Sequence, residues 1–128
     1  MTKKPRLLVV DNEIDVCNFV KSFFEIRGFD VVTAYNGDEA LKVLDAAKVD
    51  LVILDVVMRR DDEGIEYLPQ IKKKCPSAKV IIITGVDDKE TVEKAKKLGA
   101  DDYITKPLVL EYLESTVMGK IKSLSPSA

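Results

Sequence analysis

The chain has 128 residues, 46% hydrophobic and 33% charged, with 20 Lys and Arg against 22 Asp and Glu for a net charge of −2. That length suits one domain with a single core, and the near-balanced charge gives no general attraction to nucleic acid or anionic lipid. There is no histidine, which excludes Ser-His-Asp and Cys-His catalysis and His-ligated zinc on this chain. Its chemistry must rest on carboxylates, hydroxyls, lysines and any oxygen-seeking metal.

No apolar run approaches the ~18 residues of a membrane span. Met1 to Arg6 leads straight into a short apolar run with no long h-region or cleavage site, so a cytoplasmic protein without membrane contact is expected. Cys17 and Cys75 lack metal-type spacing and read as a core thiol and an incidental one.

Arg6 to Val10 reads as a first buried strand running directly into Asp11-Asn12-Glu13. Val16, Val20, Phe23 and Phe24 then recur at helical spacing, and Gly28 supplies a left-handed stop. Asp30 to Ala34 is a second strand. Asn36-Gly37-Asp38-Glu39 is a turn with an Asn N-cap and a Glu three residues on, and Ala40, Val43, Leu44 and Ala47 form the stripe of helix two. Leu51 to Leu54 are four consecutive apolar residues, a strand buried on both faces that ends in Asp55.

The loop Arg59-Arg60-Asp61-Asp62-Glu63 follows, ending at Gly64. Helix three carries Ile65, Leu68 and Ile71, and Pro69 is placed in or near its first turn, which sets the start close to Glu66. Pro76 marks its end. Lys79 to Thr84 is a fourth strand of β-branched residues. Asp87 and Glu90 have capping spacing at the head of helix four, whose thin stripe of Val92, Ala95 and Leu98 before Gly99 makes it the least firmly held helix. Tyr103-Ile104-Thr105 is a fifth strand ending in Lys106-Pro107. Leu110, Leu113, Val117 and Ile121 give the inner face of helix five, and residues 125–128 form a polar tail or the start of a linker after a domain spanning 1–124.

Five strands alternating with five helices through short connections predict an α/β fold with a doubly wound parallel sheet. Ligands of such sheets bind outside the carboxyl ends of the strands, and those ends deliver Asp11, Asp55, Thr84 and Lys106. Alone, each is an ordinary cap, turn or surface residue; four at four strand ends point to one site. Two neighbouring carboxylates repel and recruit a shared cation. Mg²⁺ suits them, because it takes oxygen ligands, keeps waters and often uses one or two carboxylates with phosphate oxygens. The Asp55 carboxylate could attack phosphorus while Thr84 and Lys106 balance charge on the equatorial oxygens.

From Leu7 to about Ile121 the sequence resembles the receiver domain of two-component response regulators. The motifs are Leu-Val-Val-Asp near the start, Leu-Val-Ile-Leu-Asp with Met58 three residues on, Ile-Ile-Thr-Gly, and Asp-Tyr-Ile-Thr-Lys-Pro. The resemblance implies the flavodoxin-like strand order 2-1-3-4-5 and a phosphoacceptor switch rather than an enzyme, one that catalyses only its own phosphorylation and dephosphorylation. It implies that Asp55 accepts a phosphoryl group from a sensor histidine kinase or phosphotransfer protein, that Asp11 and Asp55 hold Mg²⁺ together with the Val57 carbonyl, and that Thr84 and Lys106 bind phosphoryl oxygens. Tyr103 matches the aromatic position that changes rotamer with Thr84. Phosphorylation would be read out on helix four, strand five and helix five, by an output domain or protein or by a homodimer.

The sequence departs from the family in three places. Asn12 stands where the family usually has a second acid that ligates the metal, so weaker Mg²⁺ binding is expected; Glu13 belongs to a position that points elsewhere in the family. Arg59 replaces the usual Pro in a loop one residue longer. Val57 and Val86 occupy positions that often carry polar residues placing the hydrolytic water, so a slowly decaying acyl phosphate is expected. Asn12 also motivates the rival reading, a receiver-like binding module that works without phosphate. A phosphohydrolase would need an acid where Val57 stands, and a flavin-binding protein would need a phosphate-cradling loop in place of Asp11-Asn12-Glu13.

Overall fold

The apolar runs become strands that bury alternate side chains on opposite faces of one sheet, the period of two expected of extended backbone. A computed structural model describes residues 5–55, 63–84 and 89–105. In order these form β1 (Arg6–Val10), α1 (Ile14–Ile26), β2 (Asp30–Ala34), α2 (Gly37–Ala46), β3 (Leu51–Leu54), α3 (Glu63–Lys74), β4 (Lys79–Thr84), α4 (Lys89–Lys97) and β5 (Asp102–Thr105). The strands lie in the order β2-β1-β3-β4-β5, and every neighbouring pair is parallel. The expected sheet and strand order are therefore observed, with four α-helices among the described residues. The fifth, expected over Leu110 to Ile121, lies outside them, as do Val57, Met58, the loop from Arg59, Val86, Asp87, Lys106, Pro107 and the tail.

Leu8, Val10, Val52, Leu54, Val80 and Ile82 pack with Ala40, Leu44, Ile65, Leu68, Ile71 and Ala95, so α2, α3 and α4 cover one face. Leu7, Val9, Leu51, Ile53, Ile81 and Ile83 form the other face, where Cys17, Val20, Phe23 and Phe24 bring in α1. At about 25 cal/mol per Å² of apolar surface removed from water, these two layers are the main stabilising term. They bury Leu7 to Val10 of β1, all of β3 and Val80 to Ile83 of β4.

Local signals place the helices. Asn36 caps α2 by accepting the Glu39 N–H at 2.8 Å, as its spacing predicts, but the Glu39 carboxylate returns to the N–H of Tyr35 at 2.7 Å rather than to that of the cap residue. Gly28 follows α1 with φ 92°, a left-handed conformation strained for any other residue type. Gly37 is required for a different reason: a Cβ there would lie 2.2 Å from the ring of Tyr67, which rests on the first turn of α2 and donates its hydroxyl to Asp38 at 2.8 Å.

Three expectations need correction. α3 starts at Glu63, so Glu63 and Gly64 belong to the helix, and Pro69 falls in its interior. Proline removes the N–H that would reach the Ile65 carbonyl; the defect is tolerated because Pro69 is exposed while Ile65, Leu68 and Ile71 anchor the other side. β5 begins one residue early, at Asp102. Cys75 is no incidental residue: it is 8% exposed, and its thiol donates to the Ile71 carbonyl at 3.0 Å. α4 agrees with its thin stripe, since Ala95 is its one buried side chain among the described residues.

Candidate functional site

The strand order reverses at β1, which has β2 on one side and β3 on the other, so the crevice between β1 and β3 is where a doubly wound sheet binds its ligand. Val10 pairs with Leu54 in register, which brings Asp11 and Asp55, each one residue further on, side by side. Backbone bonds hold both: the Asp55 N–H donates to the Val10 carbonyl at 2.9 Å, and the Asp11 N–H to the Ala34 carbonyl at 3.1 Å. The buried Cys17 thiol donates to the Asp11 carbonyl at 3.2 Å, so the first turn of α1 is stitched to the end of β1.

Asp11 and Asp55 are each 3% exposed, the two buried charged residues among those described. A buried carboxylate is costly unless it is paired or meets a cation. These two stand beside a third: oxygens of Asp11, Glu13 and Asp55 all lie within 4.8 Å of one another. At that separation two full charges repel by about 1 kcal/mol in water and about 3–4 kcal/mol at an effective dielectric near 20. Glu13, which the family resemblance sets aside as pointing elsewhere, has a carboxylate oxygen in this group. Its N–H donates to Asp11 Oδ1 at 2.9 Å, a tight turn that folds residue 13 back over the strand end. Two acids spaced i and i+2 after a buried strand are the signal that could have found it.

Thr84 ends β4, opposite Thr105 of β5, on the same edge of the sheet as Asp55. Asn12 is exposed. Tyr103 lies on β5, partly buried against the core layer that includes Ile82 and Ala95, and its N–H is bonded to Asp102 Oδ1 at 2.8 Å. Lys106 and Val57, the other expected members, lie outside the described residues.

The donor set fits a small hard cation. All three groups offer oxygen, and an octahedral Mg²⁺ with bonds of about 2.1 Å places its cis ligands about 3 Å apart and its trans ligands about 4 Å apart. Three carboxylate oxygens within 4.8 Å of one another are a donor set of the kind such an ion takes.

Comparison with known proteins agrees with this geometry. Residues 7–118 match the family described as the response regulator receiver domain. The chain is 42% identical over 114 residues to the chemotaxis protein CheY of Listeria monocytogenes, a match covering 85% of this chain and 95% of that protein. It is 38% identical over 107 residues to the alkaline phosphatase synthesis transcriptional regulatory protein PhoP of Bacillus subtilis, covering 84% of this chain but only 43% of that protein. The chain thus spans under half the length of that relative. Among solved structures, a CheY-like receiver domain protein from Methanospirillum hungatei superposes with a TM-score of 0.85 at 28% identity, covering 95% of this chain and 97% of the other.

Proposed function

The chain belongs to the response regulator receiver domain family, signalling modules of two-component systems, and we propose that it acts as a Mg²⁺-dependent phosphoacceptor switch with Asp55 as the acceptor. The observation that carries this reading is the placement of Asp55: 3% exposed, at the end of a central strand, beside a second buried carboxylate at the topological switch point.

The transfer is written from a phosphohistidine on a sensor kinase or phosphotransfer protein. A carboxylate oxygen of Asp55 forms a bond to phosphorus, the phosphorus–nitrogen bond breaks, and the imidazole nitrogen keeps the electron pair and takes up a proton. Asp11, Asp55 and the Val57 carbonyl are the proposed metal ligands; bound Mg²⁺ would neutralise the crowded carboxylates and the charge spread over the phosphoryl oxygens. Thr84 and Lys106 are the proposed partners of those oxygens. The only reactions assigned to the protein are its own phosphorylation and dephosphorylation.

The switch works by charge. A carboxylate becomes a dianionic group held against strands that cannot shift, so the strain must be relieved in the elements around it. α4, with Ala95 as the one buried side chain among its described residues, and β5, with Tyr103, are the proposed readout, facing an output protein or domain or a second copy. The module is proposed to occupy residues 1–124 and to work in the cytoplasm; no helix among the described residues is long and apolar enough to cross a membrane.

Acetyl phosphate and Mg²⁺ test the reading. The intact mass should rise by one phosphoryl group in the natural chain and stay unchanged in Asp55→Asn or in excess chelator. Absence of an adduct under conditions that label a CheY protein would overturn the proposal.

A further inference from the structure

We infer that Lys72 fastens the C-terminal end of α4 to α3 and β4, and that α4 turns about this end, so that a change at the phosphoryl edge moves its first turns and leaves its last turn in place. The fastening stands without phosphoryl chemistry; the movement rests on the switch proposed above.

The corner after α4 is closed in two steps. Gly99 takes φ 113°; its N–H donates to the Lys96 carbonyl at 3.2 Å and the Ala100 N–H to the Ala95 carbonyl at 3.0 Å, the paired bonds of a Schellman stop. Asp101 then joins β4 twice. Its N–H donates to the Val80 carbonyl at 2.8 Å, and its Oδ2 accepts the Val80 N–H at 2.8 Å.

Lys72 brings in the third element. From the last turn of α3, its stem crosses Gly99 so closely that a Cβ on residue 99 would lie 3.1 Å from Lys72 Cγ. Its ammonium donates to the carbonyl of Ala78, just before β4, at 3.1 Å and stands 3.5 Å from Asp101 Oδ2. Both side chains of this pair are only about a quarter exposed, at 24% and 25%, so solvent and salt screen it less than a surface pair. A lysine that served only the dipole of α3 would need neither contact. Lys73, its neighbour, is exposed.

α3 is a fixed frame for this corner. Ile65, Leu68 and Ile71 bury it against the sheet, and it is tied to α2 by Tyr67 to Asp38 and by Lys74 to Asp45. Along α4 the burial is weighted to the fastened end: Glu90 and Glu93 are exposed and Val92 is half-buried, whereas Ala95 is buried near the last turn. A helix held at one end and pushed at the other pivots on the held end.

Backbone amide NMR tests both parts on the natural chain, Lys72→Met and Lys73→Met. Methionine keeps a stem over Gly99 and removes the ammonium. In Lys72→Met, hydrogen exchange at Val80, Gly99, Ala100 and Asp101 should rise about tenfold, as expected for losing a hydrogen bond from a charged group. Phe23 and Phe24 of α1 should stay unchanged, and Lys73→Met should leave all six amides as they are. No rise in Lys72→Met, an equal rise in α1, or an equal rise in Lys73→Met would overturn the fastening. Acetyl phosphate and Mg²⁺ are then added, with the intact mass read alongside. In the phosphorylated natural chain the resonances of residues 89–94 should move and those of 98–101 should keep their shifts, whereas in phosphorylated Lys72→Met both sets should move. Resonances of 98–101 that move in the natural chain, or of 89–94 that do not, would overturn the movement. No adduct removes the switch and the movement with it, while the exchange comparison alone decides the fastening.

Discussion

The two edges of the sheet use the same residue type in opposite ways. At the edge where the strands begin, each aspartate has a donor. Asp30 meets Arg6 Nε at 3.0 Å, Asp50 accepts the Arg6 N–H at 2.8 Å, and Asp101 accepts the Val80 N–H at 2.8 Å with Lys72 Nζ 3.5 Å away. At the edge where the strands end, Asp11 and Asp55 are more deeply buried and stand with Glu13 in a group of three like charges. Carboxylates at the first edge tie one strand or helix to the next; those at the second are gathered together in a packed place, an arrangement suited to holding a cation.

The contrast makes signed predictions. The largest effect is expected at the structural edge, where Asp101→Ala leaves the N–H of buried Val80 without its acceptor and Lys72 without its pair. A loss of about 2 kcal/mol in urea unfolding is expected, within the usual range for an unsatisfied buried donor. Asp11→Asn should act in the other direction. It keeps the oxygen that accepts the Glu13 N–H but removes one repelling charge, so in chelator the protein should gain about 1 kcal/mol.

Asp38 sharpens the contrast, because it lies at the functional edge and accepts the Tyr67 hydroxyl outside the group of three acids. Tyr67→Phe removes that hydrogen bond and should cost about 0.5–1 kcal/mol, with labelling by acetyl phosphate unchanged. A loss of labelling would show that the α2–α3 contact belongs to the site.

The smallest effect concerns Cys75 at the C-terminal end of α3. Burial pushes its thiol above the ordinary value of 9.0, with Lys72 pulling it partly back. The fold therefore favours the neutral thiol, so this contribution is complete below pH 9.0 and is lost as pH rises through the raised value. Between pH 8 and 10.5 the melting temperature of the natural chain should fall slightly more steeply than that of Cys75→Ala. Parallel curves would remove Cys75 from the pH response.

The strands were legible because their signal is redundant. β1, β3 and β4 are runs of Val, Ile and Leu bounded by charged or turn residues, and burial on both faces leaves no other use for such runs. Asp11 and Asp55 were legible for the same reason, since a strand's end is fixed once the strand is. α3 was less so: Pro69 argues for a start near Glu66 only if its ring faces the protein, and the sequence does not say which way an exposed helix face turns. Glu13 was hidden by a turn. A residue two positions beyond a strand can point anywhere until the bond from its own N–H to Asp11 sets its direction, and that bond is a property of the folded chain. Asn36 shows the reverse case, a cap whose partner is set by sequence spacing alone.

The most direct test is a pair of melting curves for the natural chain and Asp11→Asn, each with chelator and with excess Mg²⁺. In chelator Asp11→Asn should melt higher, because one of three neighbouring carboxylates loses its charge. Mg²⁺ should raise the natural chain more than the variant and close or reverse the gap, because a ligand bound only by the folded state stabilises it. If Asp11→Asn melts lower in chelator and Mg²⁺ moves neither curve, the carboxylate edge is structural and the account is wrong.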